Sequence, residues 1–492
     1  HLKRSAADHK ETGHVYLEQL FAPQGKKVCV VGAGPAGLSA AHDLSVIGME
    51  VTLIEALDSP GGMLAYGIPE FRLPRDILNA EIDAILRLGV TLQTGVKVGR
   101  DVSLDELLGK YDAVLLAAGC YVSRSLDVPG EELPGVFQGL DFVMDVASGN
   151  PPTLDKKVLV LGAGFTAFDC ARLALRLGAE EAAICIRGTE NELRVTEEEI
   201  HEAKKEGVVI NALMASQRLL QENGRLTGVE FLRTRLGDRL PNGRREILPI
   251  EGSEFIVPAD SVIVAIGQGA EPIPTSGETD KRGVIKGDRT TLRTSVPGLY
   301  VAGDFMTGPS TVIEAIASGR KAAERIAGDI TGKKFREWAV RVENAQITDR
   351  SREWDFIPRQ DMPTVSPPAE RFVPANREVE LGFSQDEAHE ESKRCYLCYL
   401  HYEIDMDVCI YCRYCIDVAP RDCIKLVEDV VLDDNGAVSE LVQTTSWRNV
   451  NAVVIDNTRC IRCGECVRVC PMDCISVSKV ELVQRMLATE RE

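Results

Sequence analysis

No stretch of this sequence is apolar for anything near the length of a bilayer-spanning helix, and no charged-then-apolar leader opens it. A membrane span and a secretory signal are therefore not expected, and the cytoplasm is the expected compartment. Positive charge is short: 56 Lys and Arg stand against 75 Asp and Glu, a formal net charge of −19. That balance excludes a surface built to coat nucleic acid or to settle on anionic lipid. It permits a protein partner with a basic docking face. Cysteine is sparse over the first four-fifths of the chain, where Cys29, Cys120, Cys170 and Cys185 stand apart and form no Cys-x-x-Cys pair. The chain opens on His1 rather than Met, so a trimmed or processed start is expected.

What is present begins with length. The 492 residues, 44% hydrophobic and 27% charged, suffice for about three globular domains. The chain is organised around residues 28–55. A short apolar strand, 28–31, runs into Gly32-Ala33-Gly34-Pro35-Ala36-Gly37, then an apolar-periodic run over 38–47, then a second strand, 51–54, ending on Glu55. Strand, glycine turn, helix, strand and acid form the dinucleotide-binding fingerprint in its required context. Gly32 permits the tight turn, Gly34 lets the backbone approach a pyrophosphate, and Gly37 lets helix and strand pack closely. The helix N-terminus offers free N–H groups and positive partial charge to the anion. Glu55 can accept hydrogen bonds from a ribose diol.

A second fingerprint follows. Residues 158–161 lead into Gly162-Ala163-Gly164-Phe165-Thr166-Ala167, then a helix to 177 and a strand over 183–186. Ala167 replaces the third glycine, a change that helix–strand packing tolerates. Two fingerprints imply two nucleotides. The glycine- and proline-rich stretch 60–74, with Gly62, Met63, Leu64 and Arg72, is too constrained for a linker and suits a loop laid against a flat ring. Strands 113–119 and 260–267 end on Ala118-Gly119 and Gly267, and a third strand ends on Gly303-Asp304. Helices are expected over 76–88 and 311–326, the second capped by Ser310 with Thr311 and Val312 in its first turn. Residues 1–24 read as an arm. Residues 333–394, with recurrent prolines, read as a surface linker.

Eleven of the 15 cysteines crowd into 395–474. Cys460-x2-Cys463-x2-Cys466-x3-Cys470-Pro471 is a full bacterial-ferredoxin run, in which the fourth cysteine serves the other cluster of a pair. The first half, Cys409-x2-Cys412-x2-Cys415, has Ala419-Pro420 where Cys-Pro is expected. Cys409, Cys412, Cys415 and Cys470 can thus complete one 4Fe–4S cluster. Cys460, Cys463 and Cys466 lack their usual fourth ligand, for which Cys423 is preferred. The rivals are a three-iron cluster or a ligand from Cys395 or Cys398. Cys395, Cys398, Cys423 and Cys474 as a third cluster, or Cys395 and Cys398 as buried thiols, stay open. Strands are expected at 430–432 and 452–455, with a turn at 434–436.

On residues 61–74, the 162–169 turn and the 302–304 end, the chain resembles the small subunit of glutamate synthase and the flavin half of dihydropyrimidine dehydrogenase. The resemblance covers about 25–330. It implies FAD in the first nucleotide domain and NAD(P)H in the second. It implies that Gly32, Ala33, Gly34, Pro35, Ala36, Gly37, Glu55, Gly62, Met63, Leu64, Arg72, Ala118, Gly119, Gly303, Asp304, Thr311 and Val312 contact FAD. Gly162, Gly164, Phe165, Thr166, Ala167, Arg187, Arg194 and Gly267 would serve the nicotinamide nucleotide. The cysteine-rich N-terminal domain of those relatives is not matched in residues 1–27. The basic cluster after the second strand is thinned to Arg187 and Arg194, with Gly188 and Glu190 between them, which leans to NADH over NADPH.

The expected fold is α/β, with two nested Rossmann-like domains and a small α+β ferredoxin-like domain. FAD is expected on 25–150 and 285–332, NAD(P) on 151–284 and the clusters on 395–492. The expected activity is electron transfer from NAD(P)H through FAD to the clusters, in either direction, with no side-chain acid or base. No segment reads as an organic-substrate domain, so the acceptor is expected on a partner subunit or a soluble ferredoxin. The alternatives are a bifurcating enzyme, a disulfide reductase, which the isolated early cysteines disfavour, and a non-catalytic wiring subunit, which the intact fingerprints disfavour.

Overall fold

The computed structural model describes residues 1–9, 18–240, 243–366, 368–433 and 438–487. The turn expected at 434–436 lies outside them, as do residues 10–17 of the arm. Among the described residues no helix is long and apolar enough to cross a membrane. The chain divides into two compact units.

The larger unit contains two parallel five-stranded sheets. In the first the strand order is Leu299–Val301, Ala113–Leu116, Lys27–Val31, Glu50–Ile54 and Thr91–Gln93. The central strand is buried at Val28, Cys29, Val30 and Val31, as its unbroken apolar run requires of a parallel sheet covered on both faces. The return of Leu299–Val301 to this sheet makes the first layer discontinuous in sequence.

The second sheet runs Val136–Gln138, Ser261–Val264, Lys157–Leu161, Glu181–Cys185 and Val209–Asn211. This corrects the expected boundaries. Val136–Gln138 pairs with Ser261–Val264, so the chain has left the first layer well before residue 150. Ile273 and Val284 are buried in the core of the first layer, so it has returned before 285. The two crossings meet in a short antiparallel pair, Val122–Ser123 with Gln268–Gly269. An antiparallel four-stranded sheet is inserted before Ser261–Val264: the long Arg225–Arg239 strand pairs with Met214–Glu222, Arg245–Pro249 and Phe255–Pro258.

The smaller unit holds two three-stranded sheets around the cysteines. One pairs Arg336–Asn344 and Leu400–Ile404 with the two sides of Ile475–Met486. The other pairs Ile424–Leu432 with Val438–Gln443 and Ala452–Ile455. Residues 336–344, expected to be linker, are therefore a full ladder strand. Residues 364–381 are not linker either: they join the core of the larger unit, where the Val379 N–H donates to the Phe71 carbonyl at 3.0 Å. The arm contains a helix, Leu2–Asp8, whose buried Ser5 lies against Phe383.

Candidate functional site

In the first layer the predicted residues converge. The Ala33 N–H donates to Glu55 Oε2 at 2.8 Å, and the Leu57 N–H to Oε1 at 2.9 Å. Burial raises the Glu55 carboxyl above its ordinary value, against those N–H groups. The glycine turn is thus tied to the end of the second strand. Gly62 has φ +54°, and a Cβ there would lie 2.7 Å from the Gly34 Cα. Two bare backbones face each other, a cradle that side chains would fill. Gly303 closes the same place, its absent Cβ 2.8 Å from the Ala36 Cβ. The Cys120 thiol donates to the Asp304 carbonyl at 3.2 Å, which ties the end of the Ala118-Gly119 strand to the Asp304 turn. The Ser310 hydroxyl donates to Asp304 Oδ1 at 2.5 Å. Ser310 is not the cap of the following helix, Val312–Thr331. Thr311 is, in a reciprocal box with Glu314. This cradle of glycines, helix N-termini and a buried acid fits the dinucleotide of an FAD.

Sequence reasoning missed Arg75. Its guanidinium donates to the carbonyls of Leu64 at 3.0 Å, Leu73 at 2.9 Å and Ile68 at 2.7 Å, pinning the 61–74 loop from inside. Arg72, expected at FAD, donates from Nε to Asp169 Oδ1 at 2.5 Å and contacts Glu199. Burial opposes its charge, but those two carboxylates outweigh it and hold the guanidinium protonated.

Around Arg72 lies a buried ionic cluster. Arg172 pairs with Glu199 at 2.9 Å and Glu206 at 2.7 Å, Arg176 with Glu206 at 2.7 Å, and Arg371 with Glu202 at 2.8 Å. Phe71 lies among the cations, 3.9 Å from Arg176 and 4.7 Å from Arg172, ring centroid to Cζ. The loop of the first layer, the helices of the second and the 364–381 segment are clasped together there.

In the second layer Gly162 and Gly164 do different work. A Cβ on Gly162 would lie 2.3 Å from the Ala265 carbonyl, whereas one on Gly164 would meet nothing within 4 Å. The space beside Gly164 is open, at the N-terminus of the Phe165–Arg176 helix, and Phe165 is half exposed beside it. Thr166 is partly buried and Ala167 fully buried. The Arg194 N–H donates to the Ala163 carbonyl at 3.3 Å, which sets Arg194 beside the turn. Arg187 and Arg194 are exposed, and Glu190 is neutralised by Lys204 at 2.7 Å. Gly267 has φ +122° and lies at the crossing, its carbonyl accepting from the Arg124 N–H at 3.0 Å.

In the smaller unit the thiols line two hollows. Cys409, Cys412, Cys415, Cys470 and Cys474 surround one, and Cys423, Cys460, Cys463 and Cys466 the other. The two runs share a backbone pattern. Tyr411 and Arg462 have φ +56° and +57°, and Arg413 and Gly464 both +72°. Such turns aim N–H groups inward, and the Arg462 N–H donates to Cys460 Sγ at 3.4 Å. A hydrogen bond from Cys423 lowers the Cys460 thiol to about 6, the Arg462 N–H helping. Among the described residues no three His, Cys, Asp or Glu side chains gather closely enough to hold a single metal ion. Thiols alone, spread around two hollows, suit iron–sulfur clusters better. Cys395 and Cys398 are exposed, which corrects the expectation of buried thiols. They line neither hollow.

Known proteins share both parts. The pyridine nucleotide-disulphide oxidoreductase family model matches residues 26–319, and a 4Fe-4S dicluster domain matches 408–474. The chain is 42% identical over 395 residues to the NADP(+)-dependent formate dehydrogenase subunit beta of Moorella thermoacetica, covering 78% of this chain and 56% of that protein. It is 35% identical over 437 residues to the NADPH-Fe(3+) oxidoreductase subunit beta of Geobacter sulfurreducens, covering 81% and 65%. The chain thus spans less than two thirds of either relative. It is also 35% identical over 321 residues to the glutamate synthase [NADPH] small chain of Escherichia coli, covering 61% and 68%. FprA of Mycobacterium tuberculosis, solved in complex with NADPH, has the same fold over 62% of this chain and 85% of its own, with a TM-score of 0.56 at 20% identity. Both dinucleotide turns stand in the span that the first model matches and the thiol-lined hollows in the other. The chain therefore belongs to the pyridine nucleotide-disulphide oxidoreductase family with a 4Fe-4S dicluster domain behind it, and its cofactors are FAD, a nicotinamide dinucleotide and two 4Fe–4S clusters.

Proposed function

We propose that this chain is the electron-entry subunit of an oxidoreductase. It would take hydride from NADPH and deliver electrons singly, through its clusters, to a partner subunit or a soluble ferredoxin in a reducing compartment; the reverse flow is equally allowed. One observation carries the proposal: two dinucleotide cradles and two thiol-lined hollows share one polypeptide. When bound, FAD supplies the exchange between two-electron and one-electron chemistry. The chain's own residues bind and orient. Glu55, Gly34 and Gly62 hold the flavin nucleotide, and the Gly164 turn takes the pyrophosphate of the nicotinamide. Cys409, Cys412, Cys415 and Cys470 hold one cluster, and Cys460, Cys463, Cys466 and Cys423 the other. No side chain moves a proton.

NADPH is preferred to NADH here, against the lean from sequence. The Glu190 charge that argued for a bare ribose is spent on Lys204, while Arg187 and Arg194 remain exposed beside the second turn. Three relatives are also named for NADP(H). Replacing Arg187 and Arg194 with Ala should cost about 1.5–3 kcal/mol of NADPH binding for each charge-assisted hydrogen bond to the 2′-phosphate that is removed. NADH should be little affected, as read from the rate of flavin bleaching with each cofactor. The whole proposal is tested by anaerobic purification with flavin and iron counting and identification of the co-purifying protein. Iron without flavin, or a visible spectrum untouched by either reduced nicotinamide, would overturn it.

A further inference from the structure

The two halves of the cluster module repeat beyond their ligand runs. Residues 419–424 read Ala-Pro-Arg-Asp-Cys-Ile and residues 470–475 read Cys-Pro-Met-Asp-Cys-Ile. The backbone repeats too. Asp422 and Asp473 have φ +51° and +50°, and each half runs at once into a strand, Ile424–Leu432 and Ile475–Met486. Cys423 in one half therefore holds the place of Cys474 in the other.

The halves differ by one thiol. Where Ala419 stands, Cys423 lines the hollow with Cys460, Cys463 and Cys466. Where Cys470 stands, its Sγ lies 3.4 Å from the Sγ of Cys474. Cys474 lines the same hollow as Cys409, Cys412 and Cys415. Both positions from which a fourth thiol can reach are filled in the first hollow, and only one in the second.

We propose that Cys474 is a resident alternative ligand of the first cluster, so that Cys409, Cys412 and Cys415 hold it together with either Cys470 or Cys474. The exchange balances without any co-reactant. One iron–sulfur bond forms as Cys474 gives up its proton, and one breaks as Cys470 takes a proton. No atom changes oxidation state. The inference rests on the assignment of Cys423 to the second cluster, from which the place of Cys474 is argued.

The test uses the full chain, purified anaerobically with its cofactors. Cys470→Ala, Cys474→Ala and the double variant are compared by iron per flavin and by EPR of oxidised and reduced samples. Alanine is the residue the other half carries naturally at position 419, so Cys470→Ala should leave the fold intact. Each single variant is expected to keep the full iron complement, Cys470→Ala with altered EPR of the reduced cluster. The double variant should lose iron and show a three-iron signal when oxidised. A three-iron signal from Cys470→Ala alone overturns the proposal. Cys423→Ala reports on the second cluster by itself: loss of its fourth iron supports the assignment of Cys423. Retention of all iron overturns that assignment, whatever Cys470→Ala does.

Discussion

A glycine in a dinucleotide turn can be demanded by the protein or by the ligand, and the two demands separate here. Gly32 has φ +103°, and a Cβ would lie 2.4 Å from the Ala117 carbonyl, so its demand comes from the fold. Gly164 is extended at φ −107° with open space beside it, so its demand comes from the molecule that fills that space. Gly32→Ala should destabilise the chain by about 3 kcal/mol or more. Gly164→Ala should leave stability within about 0.5 kcal/mol and FAD content unchanged. It should nevertheless raise the KM for NADPH in flavin reduction by about tenfold or more, one steric clash of roughly 1.4 kcal/mol. A thermal melt and a titration of flavin bleaching separate the two. The glycines and Glu55 were legible in the sequence because their spacing is set by local geometry. The carboxylate partners of Arg72 were not. Its partners Asp169 and Glu199 lie 97 and 127 positions away, and nothing local distinguishes a guanidinium aimed at a flavin from one aimed at a carboxylate.

At the scale of elements, the same distance effect explains which segments could be read. Strands 28–31, 51–54 and 452–455 announce themselves as short apolar runs and appear within a residue of their expected places. The inserted antiparallel sheet between 214 and 258 mixes arginine and glutamate into its strands, because much of its surface is exposed, and an exposed ladder shows little hydrophobic contrast. The 364–381 segment has no period, since its buried residues, Val365, Arg371 and Val379, are scattered, and Arg371 anchors it through Glu202 and Glu206. That anchor makes a pH prediction. Burial works to raise the Glu206 carboxyl, but Arg172 and Arg176 outweigh it and lower the group from 4.5 to about 2. A carboxylate depressed in the folded state contributes stability that is complete above its ordinary value and is lost as pH falls through the folded one. Glu206→Gln should therefore cost about 3–5 kcal/mol at neutral pH, because it strands buried arginines. The gap between wild type and variant should narrow as pH falls from about 4.5 towards 2. Circular dichroism melts across that range read it directly; a constant gap would mean that Glu206 is not the titrating partner.

At the scale of the whole molecule, the cluster-bearing unit is not a tail behind residue 395. Among the described residues it takes in 1–9, 336–363 and 382–487, and the chain leaves it for the larger unit and returns. The signal was present: Trp338, Val340 and Val342 alternate with polar or small residues, the period of a strand. The prolines from Pro358 onward drew the whole 333–394 stretch into one linker reading, and the partner strand lies beyond the last cysteine. Nine consecutive pairs join Arg336–Asn344 to Ile475–Met486. A fragment of residues 395–492, cut where the cysteines begin, would carry every cluster thiol. It would nevertheless lose that whole ladder and expose a long unpaired edge beside the exposed Leu482. Such an edge favours association between chains over a closed fold. The 395–492 fragment is expected to aggregate and to hold iron poorly. A fragment of residues 336–492 keeps that ladder and should associate less and hold more iron on reconstitution with iron and sulfide. Size-exclusion chromatography with iron counting on both fragments decides the matter. If the shorter one is monomeric and fully loaded, the Arg336–Asn344 strand is dispensable, and the cluster hollows are held by the Leu400–Ile404 and Ile424–Leu432 strands alone.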